Sequence, residues 1–545
     1  MGLIYVTAFL ELPGSRVDPQ VFIEKFLLVA RSGVPIILYI SQRYYEIVAP
    51  FLVELPNVRI GAVIELAHTW TWSIVTSYSD LQLPPRRSPE KDTLEYMICQ
   101  HAKMEFMWMA SRTGQPTDVY AWMDFRIAHV FQDVPQSLAE LAYHVTAEYV
   151  PNLCLFPGCW PAGHGTITEG ICWRFCGGFF VLSRSAIDSL WAIIKTALPQ
   201  FLEKERVMVW EVNFWAYLET THGWAPQWYS ADHNDTLVRL PVNIYKSCQL
   251  ANLDQYEYQQ QHPIVPSGYY PMNTSYVDYR GLRLLNVRCV NYRLTSSGSY
   301  IIDDIGGIIR TKNVMCILDD TYSIFTSNEI ATDIPLPSSE RAIQGLEDIR
   351  LFNWKGRPHY IATQRMWSPC GRNRMMIGPY ETSIRAGTLL HPPTETGCEK
   401  NWIPCVDPAT DELRIIYSWN PYSVGVLDAD GKLRITAQRH LCGLGRHLKG
   451  STVPVPYDGG LLCVAHYSVE SAPRIYMHLL VRLDARTLMP THWTAPFSFR
   501  RVGIEYCIGF HVDDASDMAH FWISEHDKEP GLVRAPMRGF NMMPI

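Results

Sequence analysis

The sequence predicts two folded domains of different class, an α/β domain followed by an all-β domain. The chain has 545 residues, more than one ordinary domain holds. Strand-like and helix-like segments alternate over roughly the first 250 residues, a pattern typical of an α/β sheet. Beyond that point helical periodicity disappears, and short β-rich segments recur between turns, as in a sandwich, barrel or propeller.

In the first part, apolar runs bounded by turn signals predict strands, and 3.6-residue spacing predicts helices. The predicted strands cover residues 4–10, 34–40, 58–63 and 119–123. The predicted helices cover residues 19–30, 185–203 and 207–220, and a further one starts at Ser88-Pro89 and runs to Met104.

In the second part, the predicted strands cover residues 282–294, 313–318, 349–363, 413–418, 461–466 and 475–483. Dividing the roughly 290 residues of the second part by about 50 residues per blade gives five or six blades. We therefore expect an α/β domain over residues 1–250, a Tyr-, Gln- and Pro-rich linker over 251–275, and a five-bladed β-propeller over 276–545.

Composition narrows the possible functions. Hydrophobic residues make up 47% and charged residues 19%, so the chain should bury real cores. A net charge of −7 gives no basic footprint, and no nucleic-acid partner is expected. Aromatic residues reach 12%, which suits sugar-stacking surfaces and equally suits ordinary β-rich cores.

The N-terminal region predicts neither export nor a membrane span. Residues 1–6 read as an immediate strand, without the basic start and cleavage site of a secretory signal. The apolar stretch 22–40 is interrupted by Lys25, Arg31, Gly33 and Pro35. We therefore expect a cytoplasmic protein whose 14 cysteines are reduced thiols.

One group of residues could bind zinc. Cys154, Cys159, His164, Cys172 and Cys176 supply enough ligands for a tetrahedral site. Their C-x4-C and C-x3-C spacings differ from the tight pairs usual in such sites. Buried or loop thiols are the alternative interpretation, and the spacing favours it.

Asp124 is the first candidate functional residue, because it directly follows a short apolar strand. Ligands of open α/β sheets bind beyond the carboxyl ends of the strands. A Mg²⁺ or Mn²⁺ ion there takes one or two carboxylates together with diphosphate oxygens, and it stabilises a leaving nucleotide diphosphate. An aspartate at a strand end also caps turns, so Asp124 alone is a weak signal.

Its neighbours strengthen the case. Thr7-Ala8-Phe9, Lys103, Trp122-x-Asp124, Gly177-Gly178-Phe179-Phe180, Trp210-Glu211-Val212-Asn213-Phe214 and the His233 segment occur in a familiar order. Together they resemble the HtrL/YibB-like family of glycosyltransferases, over roughly residues 3–242. The resemblance implies a GT-A-like fold, a nucleotide-sugar donor such as a UDP-sugar, a divalent metal ion (Mn or Mg), and a glycan or glycoprotein acceptor.

The same resemblance implies roles for individual residues. Asp124 would bind the metal, and His233 would be a later ligand of the metal or the diphosphate. Glu211 would be an acceptor-side general base. Lys103 would face the nucleotide phosphates. A surface position for Glu211 and a loop position for His233 are the structural alternatives.

Three further positions belong to the predicted donor cleft. Thr7 ends the first strand, and Gly177 and Gly178 would let the backbone approach the sugar closely. The D-x-D pair usual in GT-A enzymes is absent, because Trp122 stands at its first position. Arg126 would replace part of the metal's charge, so the need for a metal is open.

The second domain has its own candidates, which interrupt apolar strands: Glu347, Asp348, Arg350, Lys400, His466 and Glu505. The inner strands of a propeller converge on one axial funnel, where such residues meet. The segments Glu347-Asp348-Ile349-Arg350, Lys400-Asn401-Trp402 and Lys449-Gly450-Ser451-Thr452 resemble five-bladed β-mannoside phosphorylases of glycoside hydrolase family 130, over about residues 280–515.

That resemblance implies that Asp348 is a proton donor and that Arg350, Lys449 and His466 contact phosphate or sugar. Glu347 and Glu505 are added as glycan-binding candidates. Ile349 and Lys449 depart from the family pattern, where Pro and Arg are common. Glu347 should raise the pKa of Asp348 and Arg350 should lower it, and burial decides which prevails.

Three functions follow from these observations. The leading hypothesis is a glycosyltransferase whose propeller binds or trims the glycan. The second is a glycoside phosphorylase or hydrolase with its active site in the propeller. The third is a glycan-binding or structural protein without catalysis.

Overall fold

The computed structural model describes residues 2–13, 18–113, 118–334 and 342–545. The chain forms two compact units, Met1–Tyr245 and Lys246–Ile545. Helices and strands alternate in the first unit, and the second is built almost wholly of strands. The predicted order of an α/β half and an all-β half is therefore confirmed.

The first unit is built on a seven-stranded mixed sheet. Its strands are β1 Leu3–Phe9, β2 Ile36–Ile40, β3 Val58–Val63, β4 Val119–Met123, β5 Cys154–Gly158, β6 Phe179–Ser183 and β7 Gln227–Ser230. Their order is β3-β2-β1-β4-β6-β5-β7, and β6 runs antiparallel to its neighbours. The chain leaves β1 towards β2 and β3 and returns to β4 on the other side, so a topological switch point lies between β1 and β4.

Eight α-helices accompany this sheet in the described residues. They are α1 Pro19–Ala30, α2 Gln42–Leu52, α3 Trp70–Thr76, α4 Leu94–His101, α5 Lys103–Ser111, α6 Val134–Thr146, α7 Arg184–Glu205 and α8 Glu211–Thr221. Buried Tyr39, Phe106, Phe156 and Trp215 belong to the core beneath them. In the part of the chain described, none of the helices has the length and apolarity that crossing a membrane requires.

Two predicted helix starts are wrong. Ser88 does not start a helix, because a turn joins its backbone to the carboxylate and N–H of Asp92. The helix starts at Leu94, where the Thr93 hydroxyl caps it by accepting the Tyr96 N–H. The helix predicted from residue 207 starts at Glu211, because Val207 pairs with Gln82 in a β-bridge.

The second unit contains five main antiparallel sheets in the described residues, which we call blades 1 to 5 in chain order. Blade 1 comprises Tyr270–Tyr279, Leu282–Val290, Ile309–Leu318 and Ile324–Glu329. Blade 2 comprises Glu347–Trp354, Arg357–Gln364, Arg374–Pro379 and Thr388–Leu389. Blade 3 comprises Ile403–Val406, Leu413–Trp419, Tyr422–Leu427 and Leu433–Arg439.

Blade 4 is centred on Gly460–Val469, Ile475–Leu483 and Pro490–Trp493, and the short strands Cys248–Gln249, Lys449–Gly450, Val455–Tyr457, Phe497–Ser498 and Met543–Pro544 add to it. Blade 5 comprises Glu505–Asp513, Met518–Glu525, Glu529–Pro536 and Glu257–Gln260. Four further short strands are Tyr292–Leu294, Tyr300–Ile302, Ala331–Thr332 and Ser383–Ile384, and Ile343–Gln344 pairs with blade 1.

The blades form a closed, propeller-like ring. The first strand of blade 1 lies against the first strands of blades 2 and 5, and contacts continue between blades 2 and 3, 3 and 4, and 4 and 5. Glu257–Gln260, from the start of the unit, pairs with Glu529–Pro536, from near its end.

The predicted linker over residues 251–275 is wrong. Those residues contribute the closing strand Glu257–Gln260 and the beginning of the blade 1 strand Tyr270–Tyr279. The strand Glu257–Gln260 is half-exposed at the edge of blade 5, and its polar composition resembles that of a linker. For that reason the sequence predicted a connection here.

Candidate functional site

Asp124 occupies the switch point of the first unit, directly after β4. Its backbone N–H donates to the Gly178 carbonyl at 2.9 Å, which fixes the start of the loop. Its Oδ1 accepts a hydrogen bond from the Trp122 indole Nε1 at 2.8 Å and lies 3.2 Å from the Lys103 Nζ. The side chain is 38% exposed, so this carboxylate is held in place while part of it faces solvent.

Lys103 lies buried behind Asp124, at the first residue of α5. Its ammonium group donates to the Gly177 carbonyl at 2.9 Å and to the Glu211 Oε1 at 2.8 Å. Burial by itself lowers the pKa of Lys103, but the carboxylates of Asp124 and Glu211 outweigh it and raise that pKa. Lys103 is therefore a permanent cation that joins two acids.

Glu211 is buried at the first turn of α8, with 4% of its surface exposed. Its carboxylate is directed at Lys103. The surface position considered above is wrong, because the Lys103 partner stabilises the buried charge. The predicted role as general base remains a prediction, and the geometry suits a residue that positions Lys103.

The two glycines have different surroundings. A Cβ on Gly177 would lie 2.0 Å from the Glu211 Oε1 and 3.1 Å from the Lys103 Nζ. A Cβ on Gly178 would lie 3.6 Å from the Asp124 Oδ2, an ordinary contact. Gly177 is therefore required by the buried ion pair, and Gly178 has room beside the exposed carboxylate.

This difference gives a matched prediction. Gly177→Ala is expected to destabilise the first unit by about 1–3 kcal/mol, because Glu211 cannot move aside without leaving Lys103. Gly178→Ala should change the free energy of unfolding by much less. Denaturant unfolding of both variants measures this, and equal stabilities would contradict the role assigned to Gly177.

Other predicted residues lie less directly at this site. Thr7 is fully buried in β1, and its Oγ1 has no hydrogen-bond partner among the described residues. The Arg126 guanidinium lies over the Phe22 ring, 4.6 Å from its centre. His233 is exposed in a loop, as its structural alternative proposed, and its ring lies 5.3 Å from that of His129.

His129 was not predicted as a site residue. The charges of Arg126, His233 and Asp124 all act on its imidazole. Burial chiefly lowers the pKa of His129, and the hydrogen bond to the Arg126 backbone carbonyl raises it. The charges of Arg126 and His233 lower that pKa further, and the charge of Asp124 raises it. His129, Arg126, His233 and Asp124 therefore share one neighbourhood. A histidine in a short 3-10 turn, Ile127–His129, carries no sequence signal that would have identified it.

The described residues contain no group of three or more His, Cys, Asp or Glu side chains arranged to hold a metal ion. A Mg²⁺ or Mn²⁺ ion shared with a diphosphate needs only one or two carboxylates. Asp124 fits that requirement through Oδ2, since Oδ1 already accepts from Trp122 and faces Lys103.

The cysteine group does not gather around one point. The Cys172 Sγ donates to the His164 carbonyl, whereas the Sγ atoms of Cys159 and Cys176 lie 3.8 Å from each other. Within the described ranges, the thiol interpretation therefore agrees with the structure better than a zinc site does.

In the second unit, Asp348 lies in the first strand of blade 2. Its Oδ1 accepts hydrogen bonds from Arg288 Nη1 at 2.7 Å and Asn273 Nδ2 at 2.9 Å, both from blade 1. Burial raises the pKa of Asp348, but Arg288, then Arg350, the Asn273 hydrogen bond and Lys400 lower it to about 2. The question left open by the sequence is thereby resolved, because the carboxylate is ionised near neutral pH.

Arg350 is fully buried and joins several blades. Its Nε donates to the Ser451 carbonyl at 2.6 Å, beside blade 4. Its Nη2 donates to Asn401 Oδ1 at 2.9 Å and to the Tyr506 hydroxyl at 3.2 Å, beside blade 3 and in blade 5. Its guanidinium therefore donates to groups in or beside three other blades.

Four further predicted residues differ in their placement. Glu347 is buried, 3.6 Å from both Arg288 and Lys400. His466 is buried, with Nδ1 bonded to the Ser451 hydroxyl at 2.7 Å, and burial chiefly lowers its pKa. Lys449 is exposed. The Glu505 carboxylate accepts three backbone N–H groups, from Phe499, Arg500 and Arg501, so it serves its own loop.

Sequence reasoning missed Arg288, Asn273, Tyr506 and Asp527. Arg288 interrupts an apolar strand just as Arg350 does, and the same criterion would have identified it. Asp527 lies in the turn between two strands of blade 5. Burial raises its pKa to about 6, Arg288 lowers it, and Asp348 raises it further.

The pKa of Asp348 predicts how stability depends on pH. An unfolded aspartate titrates near pH 4, and the folded carboxyl titrates at about 2. The stabilisation by Asp348 is therefore complete above about pH 4–5 and is lost as pH falls towards 2. The difference in melting temperature between wild type and Asp348→Asn should shrink across that interval, whereas Asp320→Asn, at an exposed partner of Arg283, should show little difference at any pH. A difference unchanged down to about pH 2.5 would contradict the ion pair.

No protein-family model and no curated protein matches this chain. Several solved structures are similar to it over about half its length. A β-1,2-mannobiose phosphorylase from Listeria innocua has 12% identity and a TM-score of 0.35, covering 51% of this chain and 93% of its own. MPT-4, a mannose phosphorylase from Leishmania mexicana, has 13% identity and a TM-score of 0.35, covering 54% and 93%. MPT-1, a GDP-Man-dependent mannosyltransferase from Leishmania mexicana, has 10% identity and a TM-score of 0.33, covering 51% and 89%.

Proposed function

We propose that the first unit has a GT-A-like fold and transfers a sugar from a nucleotide-sugar donor to a hydroxyl of a glycan or protein. The observation that carries the proposal is the Asp124 carboxylate, half-exposed at the switch point between β1 and β4. Ligands of such sheets bind at that point. One exposed carboxylate with a buried cation behind it suits a metal-bound nucleoside diphosphate as the ligand.

In this proposal Asp124 holds a Mn²⁺ or Mg²⁺ ion through Oδ2, and the ion stabilises the charge of the departing diphosphate. Lys103 holds the Asp124 carboxylate in its orientation, because its ammonium lies 3.2 Å from Oδ1. Glu211 and the Gly177 carbonyl keep Lys103 in place. Gly178 leaves space beside Oδ2 for a ligand.

We propose that the second unit binds the glycan. Charged and polar side chains in or beside several blades meet around Asp348 and Arg350. An ionised Asp348 accepts hydrogen bonds from sugar hydroxyls, and it cannot donate the proton that glycosidic cleavage requires. This favours binding over the cleavage that the resemblance implied for Asp348.

One observation favours a second candidate, cleavage of β-linked glycosides in the second unit. Asp527 and Asp348 interact electrostatically, and their pKa values are displaced in opposite directions, to about 6 and about 2. Such a pair can provide a proton donor and an ionised acid. Release of sugar or sugar phosphate from β-linked oligosaccharides, abolished by Asp527→Asn, would support this candidate over binding alone.

Donor binding is tested with the full chain. Melting temperatures are measured with nucleoside diphosphates and UDP-sugars, with and without Mn²⁺, for wild type, Asp124→Asn and Asp188→Asn. A ligand at 100 times its Kd stabilises by about 2.7 kcal/mol. We expect a shift for wild type and for Asp188→Asn, whose carboxylate is an exposed partner of Arg112. We expect none for Asp124→Asn, and no shift for any nucleotide would contradict the proposal.

A further inference from the structure

Cys159 and Cys176 are held side by side by the backbone of the first unit. The Cys176 N–H donates to the Pro157 carbonyl at 2.8 Å, and the Cys159 N–H donates to the Trp173 carbonyl at 2.9 Å. A Cβ on Gly158, which lies between Pro157 and Cys159, would be 1.8 Å from the Arg174 carbonyl oxygen. The segments 157–159 and 173–176 are therefore in close contact. The Sγ atoms are 3.8 Å apart.

This pair adjoins the candidate donor site. Cys176 directly precedes Gly177, whose carbonyl accepts from Lys103, and Gly178, whose carbonyl accepts from Asp124. Both thiols also donate to the Ala231 carbonyl, and the Cys159 Sγ lies 3.7 Å from Asp232 Oδ1. A bond between the sulfurs would therefore join the end of β5 to the segment that precedes Gly177, and it would replace the thiol hydrogen bonds to the Ala231 carbonyl.

We propose that Cys159 and Cys176 are a site of reversible oxidation, at which a disulfide ties the end of β5 to the Gly177-Gly178 segment. The two-electron oxidant is a low-molecular-weight disulfide such as oxidised glutathione. This inference rests on the geometry and does not depend on the proposed transferase activity. Forming the bond requires the two Sγ atoms to approach from 3.8 Å to about 2.0 Å.

The reaction has two steps. Cys159, which is half-exposed, loses its proton and attacks one sulfur of oxidised glutathione, and glutathione thiolate leaves. Cys176, which is buried, then loses its proton and attacks the Cys159 sulfur of the mixed disulfide, and a second glutathione leaves. Both cysteines are oxidised, and one molecule of oxidised glutathione is reduced to two of glutathione.

The rate should rise with pH. Burial chiefly raises the pKa of both thiols, and the Asp232 carboxylate raises each further, while the Cys176 contact acts on Cys159 in the opposite direction. Raising the pKa reduces the thiolate fraction at neutral pH. We therefore expect linkage to be several-fold faster at pH 9 than at pH 7.

The full reduced chain is incubated with oxidised glutathione, quenched with acid, alkylated and mapped as peptides by mass spectrometry. We expect a Cys159–Cys176 peptide in wild type and in the Cys172→Ser control. Cys176→Ser should instead retain glutathione on Cys159, and Cys159→Ser should give no linked peptide. The exposed Cys248, Cys370 and Cys398 should take up glutathione and so confirm that the reagent acts.

Linkage closes a short loop, so the oxidised first unit should melt about 5–10 °C higher than the reduced one. The proposal is overturned if no linked peptide forms while the exposed cysteines are modified, or if Cys176 pairs elsewhere. Both readouts are independent of turnover, so they are unaffected if the protein proves not to be a transferase.

Discussion

Replacing Arg350 with methionine is expected to destabilise the second unit by more than about 3 kcal/mol. The substitution removes the guanidinium that donates to the buried carbonyls of Ser451 and Gly450. It also removes one of the two donors to the Asn401 amide oxygen, which keeps the Tyr506 hydroxyl. Each buried carbonyl left without a donor costs about 1–3 kcal/mol. It also removes a cation that helps keep Asp348 ionised.

Hydrogen exchange, followed peptide by peptide in the full chain, measures this effect. Peptides from blades 2 to 5 should lose protection together, since Arg350 lies in blade 2 and donates to groups in or beside the other three. Peptides from Met1–Tyr245 provide the reference. Arg350→Lys, which reaches fewer acceptors, should show the same loss to a smaller extent if the methionine variant does not fold.

The control is Arg357→Met, at an arginine that is half-exposed and lies 3.5 Å from Glu381. Exposed pairs contribute little, so this variant should behave as wild type. Unchanged protection in Arg350→Met would show that the buried guanidinium does not hold the blades together.

Replacing Asp124 with asparagine is expected to lower turnover of a nucleotide sugar by about 100-fold or more, with little change in stability. An amide retains an acceptor for the Trp122 indole, but it lacks the charge that binds a cation at the departing diphosphate. Lys103 keeps its contact with the Glu211 carboxylate, at 2.8 Å. Release of the nucleoside diphosphate measures the effect, with and without an added acceptor.

Asp188→Asn, in the same unit, provides the matched control, and its turnover should equal that of wild type. If Asp124→Asn retains full turnover, the charge at the switch point does not assist the reaction. If wild type releases no diphosphate from any nucleotide sugar, the transferase proposal itself is wrong.

Strand positions were predictable wherever an apolar run ended at a recognisable signal. The run from Val119 to Met123 ends at Asp124, and both the strand and the position of the acid agree with the structure. The first helix is likewise predicted with its observed bounds, from the helical spacing of its apolar residues. In the structure Asp18 caps it and Pro19 occupies its first turn.

The pairing of charges was less accessible to sequence reasoning. Lys103 and Glu211 are separated by 108 positions, and no local pattern reports that a lysine will be buried against a particular acid. Asp348 shows the same limit, since its neighbours Glu347 and Arg350 were weighed while its direct partner, Arg288, is 60 positions away. The sequence shows which charged residues interrupt apolar strands. Their partners depend on the fold, because they lie far away in the chain.

The strand that closes the ring has a consequence for synthesis of the chain. Glu257–Gln260 leaves the ribosome some 270 residues before its partner, Glu529–Pro536. At about 5–20 residues per second, the open edges of the growing ring wait many seconds for closure. Unpaired edges at that stage invite pairing with other chains. The first unit precedes this interval in the chain and can complete its sheet earlier, so newly made protein should depend on chaperones mainly while the ring is still open.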